Sequence, residues 1–399
     1  MSILKKSRLK DLLLVIVMVA LVAGVAHFVI TNPLGSSRLL YYIQVPVTQW
    51  NTRCSESAPK WMAEIQRYAS RNMAAPTSQL AYVSPEGELH HCETGWKDGI
   101  FGDTPLTADT RFRYASTTKT VTAAAVLDLI NQGKLTLGEA IIDVLELEGE
   151  LSDPRIADIT IEHLLSHRAG WDRERTQDVM FLMNRKPWCP DNPQKLRQSG
   201  LMYDPGETEL YSNLGYCLLG LAIEKVSGQP YREFMASHFD FDSSTLEFID
   251  GPFRPDEVEY DFRFENFYTD TYHEKFNFQA LSSSAGLSGS ASDLARLVSN
   301  ALDSRPLTIL DGDMESGCDP GDTQSCYGYG VYRYQPEGAE IPLYIHGGKL
   351  PGNPSAIVVD PAGGVLVWLG AGGPRPNGNA TRGFYDYLRG MLANHYQHQ

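Results

Sequence analysis

The sequence predicts an α+β fold: an antiparallel sheet flanked by helices, an inserted and mainly helical subdomain, and an apolar helix in front of both. Three observations predict it. Near the beginning of the folded part, Leu80–Val83 and Glu88–Cys92 bracket Ser84-Pro85-Glu86-Gly87, a hairpin pattern. Near the end, Tyr327–Tyr334, Pro342–His346, Ser355–Asp360 and Gly364–Gly370 read as four strands, with Pro361-Ala362-Gly363-Gly364 as a turn between the last two. Between these groups, at about 115–300, the apolar runs are helical, so the sheet must close from the two ends of the chain around an inserted helical part.

In chain order, Lys5, Lys6, Arg8 and Lys10 precede Leu12–Ile30, an apolar stretch long enough to cross a bilayer. The basic flank keeps the N-terminus cytoplasmic and the rest outside. A cleaved signal, with Gly24-Val25-Ala26 as the processing site, is the alternative. The chain divides into a tail and anchor at 1–30, a linker or stalk at 31–55, and a folded domain at 56–399. Within that domain Trp61–Ala69 reads as a helix, Cys217–Val226 as an apolar helix ended by Gly228, and Thr381–Asn394 as the closing helix. The stretches 172–198 and 241–278 read as loop-rich excursions, the second resembling a lid.

A formal charge of −15 excludes the basic face that nucleic-acid binding needs. Six cysteines show neither C-x-x-C pairs nor zinc-ligand spacing, so no metal is expected. Cys318 and Cys326 bracket a polar loop that a disulfide could hold, and Cys54 could pair with Cys92. Cys217 reads as an inert core thiol, and Cys189 has no assignment. His163 and His167, four residues apart, read as capping or packing groups rather than ligands.

The chemistry concentrates at Tyr114-Ala115-Ser116-Thr117-Thr118-Lys119-Thr120. Ser116 and Lys119 lie one helical turn apart on the same face. A serine hydroxyl needs a neighbouring base to become a nucleophile, and a lysine drawn into a desolvated site has the lowered pKa that such a base requires. The spacing alone is weak, because Ser2–Lys5, Ser7–Lys10 and Ser57–Lys60 share it. The apolar run behind Ser116, Val121–Ile130, distinguishes this copy: it makes the helix a buried one.

Two later segments complete a pattern. Tyr211-Ser212-Asn213 contains the one tyrosine, of 20, that is followed two residues on by asparagine, and His346-Gly347-Gly348-Lys349 comes near the end. Together with Ser116-Thr117-Thr118-Lys119, in this order, they resemble the S-x-x-K, Y-x-N and K-T-G or H-x-G signatures of the serine β-lactamase and penicillin-binding protein superfamily, on its class C and serine-esterase side. The resemblance runs from about residue 75 to the end. It implies that Ser116 forms an acyl-enzyme, that Lys119 and Tyr211 handle its proton, and that Asn213 donates its amide to substrate or to Lys119. It also implies that His346, Gly347, Gly348 and Lys349 line the substrate, with the backbone N–H groups of Ser116 and Lys349 holding the oxyanion. No cofactor is implied.

The departure from K-T-G matters. Histidine is fully charged only below its pKa of about 6.5, and glycine offers no hydroxyl. A substrate carboxylate is therefore held less firmly, unless Arg382 or Lys349 supplies the charge. The expected function is a membrane-anchored serine hydrolase cleaving a small ester, amide or peptide in the periplasm or outside the cell. The alternatives are a β-lactamase or D-Ala-D-Ala carboxypeptidase, and a penicillin-binding sensor that acylates without turning over.

Overall fold

The computed structural model describes residues 2–399 except 74, 172–177, 179–185, 267, 268, 304, 313, 315, 316, 375, 376, 398 and 399. Among the described residues there are ten strands: β1 (Arg53–Cys54), β2 (Thr77–Val83), β3 (Leu89–Thr94), β4 (Phe112–Arg113), β5 (Glu247–Phe248), β6 (Leu287–Gly289), β7 (Tyr332–Tyr334), β8 (Leu343–Leu350), β9 (Asn353–Val359) and β10 (Val365–Ala371). The helices are α1 (Ser2–Thr31), α2 (Pro33–Thr48), α3 (Lys60–Asn72), α4 (Thr118–Asn131), α5 (Ile141–Val144), α6 (Ile161–Leu165), α7 (Asn213–Ser227), α8 (Tyr231–His238), α9 (Ser282–Ala285), α10 (Ala291–Leu302) and α11 (Gly378–Gln397).

Seven strands form one antiparallel sheet in the order β1-β3-β2-β10-β9-β8-β7. The N-terminal hairpin and the C-terminal strands meet where β2 pairs with β10 along its whole length, Val83 opposite Val365 and Thr77 opposite Ala371. Every residue of β2, β9 and β10 is buried, because helices cover both faces of the sheet. On one face Leu80, Tyr82, Val358, Leu366 and Trp368 pack against α3 and α11. On the other, Ile357, Val359, Val365, Val367 and Leu369 belong to the larger core that holds α4, α7 and α10. Residues of opposite parity thus sit in opposite cores, as the period of two requires.

A second sheet, β4-β6-β5, ties the strand leading into Ser116 to the excursion at 241–278. The bolt between them is Arg113. It is 1% exposed, pairs with Glu257 at 2.7 Å, donates to Tyr272 Oη and Gly251 O, and lies 4.4 Å from the centre of the Phe253 ring. A guanidinium this deeply buried is tolerable only when its donors are matched in this way.

Four expectations need correction. The stretch at 31–55 is not a bare linker: α2 occupies most of it, with Asn32 accepting from Gly35 N–H as its cap. β8 does not stop at His346 but runs on to Leu350, carrying Gly347, Gly348 and Lys349 as strand residues. Glycine's low strand propensity concealed this. Of Tyr327–Tyr334, only Tyr332–Tyr334 forms a strand. Cys217 is no free thiol but is bonded to Cys189, while Cys54–Cys92 and Cys318–Cys326 pair as expected. Of the excursion at 172–198, residues 172–177 and 179–185 lie outside the described residues.

Candidate active site

Ser116 stands where the chain swings from β4 into α4, in a 3-10 turn over Ala115–Thr117. Ala115 has φ +52, a left-handed conformation that costs a residue with a Cβ about 1–2 kcal/mol. Surrounding bonds hold it there. Tyr114 N–H donates to Leu287 O at 2.9 Å. Ser355 Oγ and Thr117 Oγ1 both donate to Tyr114 O, at 2.6 and 2.7 Å, and Tyr114 Oη donates to Ser290 O. The result is a half-buried hydroxyl at the mouth of an otherwise buried helix.

One turn on, Lys119 is completely buried. Its Nζ donates to Asn213 Oδ1 at 2.7 Å, to Ser284 O at 2.9 Å and, at 3.4 Å, to Ser116 Oγ. It also lies 4.8 Å from the centre of the Tyr211 ring. Three acceptors match the three donors of an ammonium, and the aromatic face adds a favourable quadrupole. The i, i+3 spacing therefore brings the Lys119 amine and the Ser116 hydroxyl together.

Asn213 is the first residue of α7, whose N-cap Ser212 accepts from Gly215 N–H at 3.2 Å. Its amide is oriented differently from the expectation. The nitrogen donates to Asp178 at 2.9 and 3.0 Å, and the backbone N–H donates to the same carboxylate at 3.2 Å. Only the amide oxygen is left to face Lys119. Asp178, 1% exposed, is the residue that sequence reasoning missed. It lies in a polar stretch with no motif to mark it, so no sequence signal could have found it.

Half-buried Tyr211 packs against His167 with ring centres 4.4 Å apart. His167, at φ +59, also meets Tyr216 and Tyr327, and its Nδ1 accepts from Ser212 N–H. It packs, and His163 caps: with Thr160 it forms the box at the start of α6. The two histidines act as supports, as the sequence suggested. Among the described residues no three His, Cys, Asp or Glu side chains gather as a metal site would need.

The opposite wall is β8. Leu350 and Asn353 close a two-residue turn in which Gly352 has φ +69. Such a closing pair is hydrogen-bonded, so alternation bonds Gly348 to Ser355 and His346 to Ile357. The N–H groups of Gly347 and Lys349 then point away from β9. β7 pairs only with Leu343–Ile345, so this part of β8 runs past Ser116 beyond the end of its neighbour. Gly348 makes the approach possible. A Cβ there would stand 2.6 Å from Tyr114 O and 3.0 Å from Ser116 N, which no larger residue could accept.

His346 is 1% exposed. Its Nδ1 donates to Gly330 O at 2.6 Å, and burial, helped by the charge on Lys119, pushes its pKa down to about 3. It is a neutral imidazole at physiological pH, not a cation for a carboxylate. The two suggested substitutes do not fill the gap. Alternation along β8 puts the Lys349 side chain with Gly347 and Ile345 on the face covered by α11. Arg382 belongs to α11 itself, where its charge acts on Tyr334.

Residues 65–387 match the family model described as Beta-lactamase. Two proteins of Dichelobacter nodosus, named provisionally as fimbrial assembly proteins FimD of serogroups D and H1, are 38% and 37% identical to the chain. The matches cover 92% and 91% of the chain and 93% and 92% of those proteins. Esterase EstB of Burkholderia gladioli is 33% identical over 165 residues, 38% of the chain and 41% of the esterase. The D-amino acid amidase of Ochrobactrum anthropi superposes with a TM-score of 0.66 at 21% identity, over 84% of the chain and 99% of the amidase. A penicillin-binding protein of Bacillus halodurans gives 0.58 at 21%, over 82% and 99%. At those identities the two structures establish the fold.

Proposed function

The chain belongs to the beta-lactamase family, and from that premise we propose that it is a serine hydrolase that cleaves an ester or amide through an acyl-enzyme on Ser116. One observation carries the proposal: a fully buried lysine amine shared between Ser116 Oγ, Asn213 Oδ1 and Ser284 O, under the ring of Tyr211.

In the first step Ser116 Oγ attacks the carbonyl carbon while its proton passes to the Lys119–Tyr211 pair. Only the unprotonated form of that pair can take the proton. The oxyanion collects between the backbone N–H groups of Ser116 and Lys349. Losing one such donor typically costs about 2.7–4 kcal/mol of barrier. The proton then moves to the leaving oxygen or nitrogen as its bond to carbon breaks. Water then attacks the ester left on Ser116, and its proton passes through the same pair to Ser116 Oγ as the bond between Oγ and the acyl carbon breaks and the acid leaves. Asp178 takes no part in bond making. It fixes Asn213 so that an oxygen, not an NH2, meets Lys119.

The substrate class follows from the other wall. With His346 buried and neutral and Gly347 bare, nothing on β8 holds a carboxylate, so neutral esters and amides are favoured over β-lactams and peptide C-termini. The site would face the outside of the cytoplasmic membrane, with α1 as its anchor: Lys10–Thr31 is long and apolar enough to span, and its length is exposed. The FimD relatives, similar over nearly their whole length, favour a role in surface-appendage assembly, with a protein or envelope component as the bearer of the bond.

The test is hydrolysis by the full chain in detergent of p-nitrophenyl acyl esters, D-amino-acid p-nitroanilides and nitrocefin, beside Ser116→Ala. Ester or anilide turnover lost in the variant supports the proposal. Preference for nitrocefin would favour a β-lactamase, and stoichiometric labelling by penicillin without turnover would favour a sensor.

A further inference from the structure

We propose that the outward face of α2, together with Trp50 and Phe101, is a bilayer-contact surface that seats the catalytic domain in the headgroup layer; this rests on α1 crossing the membrane.

α2 is fastened to the domain by one side only. Tyr41 is fully buried, its ring 4.8 Å from that of Phe264, and Val45 and Thr48 lie on the same stripe. Arg38 Nε donates to Arg263 O, and Arg263 donates back to Ser37 O. The outward stripe is Leu39, Leu40 and Ile43, neighbours on one helix face. It carries no charge, for the single charged residue of α2 is Arg38, which turns to the domain. Leu39 is 60% and Ile43 69% exposed. A helix facing water carries polar residues there, and a contiguous apolar patch marks a partner.

The neighbouring helix identifies the partner. Only Asn32 separates α1 from α2, and α2 lies against the C-terminal part of α1, from Ala20 to Val29. Between them runs an apolar groove of about 500 Å³, lined by Leu21, Val25 and Phe28 on one side and Leu39, Leu40 and Ile43 on the other. If α1 stands in hydrocarbon, the acyl chains beside it are the nearest apolar material to α2. An amphipathic helix lying in the interface has this pattern.

A second feature extends the surface. Trp50, just beyond α2, is 85% exposed, and Asn51 next to it donates to Gly95 O. The loop that follows presents Phe101, 47% exposed, at φ +63. Asp98 holds that strained loop by accepting from the N–H groups of Asp103 and Thr104, and Trp96 backs the Phe101 ring. Aromatic rings of this kind favour the membrane–water boundary.

The seat is connected to the site. The segment clamped by Arg263 also carries Glu265, which accepts from Gly352 N–H in the turn after Lys349.

The experiment uses the full chain, one copy per phospholipid nanodisc. All native cysteines that the structure describes are in disulfides, so single cysteines can be labelled selectively with a fluorophore. Leu40→Cys, Ile43→Cys and Phe101→Cys are the test sites, Val22→Cys reports α1, and Arg333→Cys is the distant control. Lipids carrying a nitroxide near the headgroup should quench the α2 and Phe101 probes about threefold or more, with little effect on Arg333, and aqueous iodide should do the reverse. Quenching at Val22 by lipids with a mid-chain nitroxide, without headgroup-nitroxide quenching at Leu40 and Ile43, overturns the proposal and leaves the anchor standing. No quenching at Val22 removes the anchor as well. Probes shielded from iodide only when two copies share a disc would mean that a second chain, not lipid, covers the face, and would equally overturn it.

Discussion

The two walls beside Ser116 differ in kind. One, built from α4 and α7, is a buried polar chain from Asp178 through Asn213 to Lys119, with Tyr211 laid over it. The other, β8, is a strand edge whose charge-bearing position holds a neutral imidazole and whose next residue has no side chain. The contrast separates two tasks that a single active site usually mixes. In the proposed reaction, proton handling falls to groups locked by burial. Capture of an anionic substrate depends on a cation facing the site, and none is built into β8.

Removing the base should break the first wall most severely. Lys119→Met should lower kcat/KM for a p-nitrophenyl ester about 10²–10⁴-fold, the usual range for a general base, as measured by steady-state assay against the parent chain.

Next comes the close approach of β8. Gly348→Ala forces a methyl against Tyr114 O and Ser116 N. It should cost about 1–3 kcal/mol of stability and slow acylation about 100-fold by displacing the nucleophile turn. Gly347→Ala meets Tyr385 Oη at 3.7 Å and Ser355 O at 4.0 Å, both ordinary contacts, and should leave both near the parent values. Denaturant melts and single-turnover kinetics on the pair separate a local clash from general intolerance of β8.

Asp178→Asn should act more gently, lowering kcat about tenfold with KM unchanged, because it frees the Asn213 amide without removing Lys119. Its pH–rate profile should also shift, since Asn213 alone separates the carboxylate from the amine, with one hydrogen bond on each side. A change in melting temperature alone would mean that Asp178 is only structural.

The smallest effect sharpens the second wall. Esters with and without a terminal carboxylate should differ less than about threefold in KM. His346 also leaves a thermodynamic mark. Its folded pKa is about 3 against an ordinary 6.5, so between those values the unfolded chain binds a proton that the folded chain does not. Its contribution to stability is complete above about 6.5 and declines as pH falls toward 3. His346→Gln should flatten that part of the pH dependence, read from urea unfolding midpoints at pH 7 and pH 5.

Much of the site was legible because its residues form short motifs tied to local geometry. Ser116 and Lys119 needed only a helix, and Tyr211 and Asn213 only a helix start. The fold was legible from a hairpin and a cluster of strands at opposite ends of the helical part. What escaped reading depended on distant packing. Asp178 is an ordinary acidic residue until α7 places Asn213 against it. Cys217 sits in an apolar run, and nothing local reveals Cys189, 28 residues earlier, as its partner. α2 escaped because its outer face is apolar where a water-facing helix would be charged, so the alternation that identifies such helices is missing, and Pro46 hides its end. The burial of His346 likewise follows from Gly330 and α4, not from its own neighbours in sequence.

The most direct measurement is intact mass spectrometry of the chain quenched with acid within the first turnover of a p-nitrophenyl ester. An added acyl mass is expected on the peptide containing Ser116, absent in Ser116→Ala and decaying as product appears. Turnover with no acyl mass at any quench time, or undiminished turnover by Ser116→Ala, would contradict the acyl-enzyme.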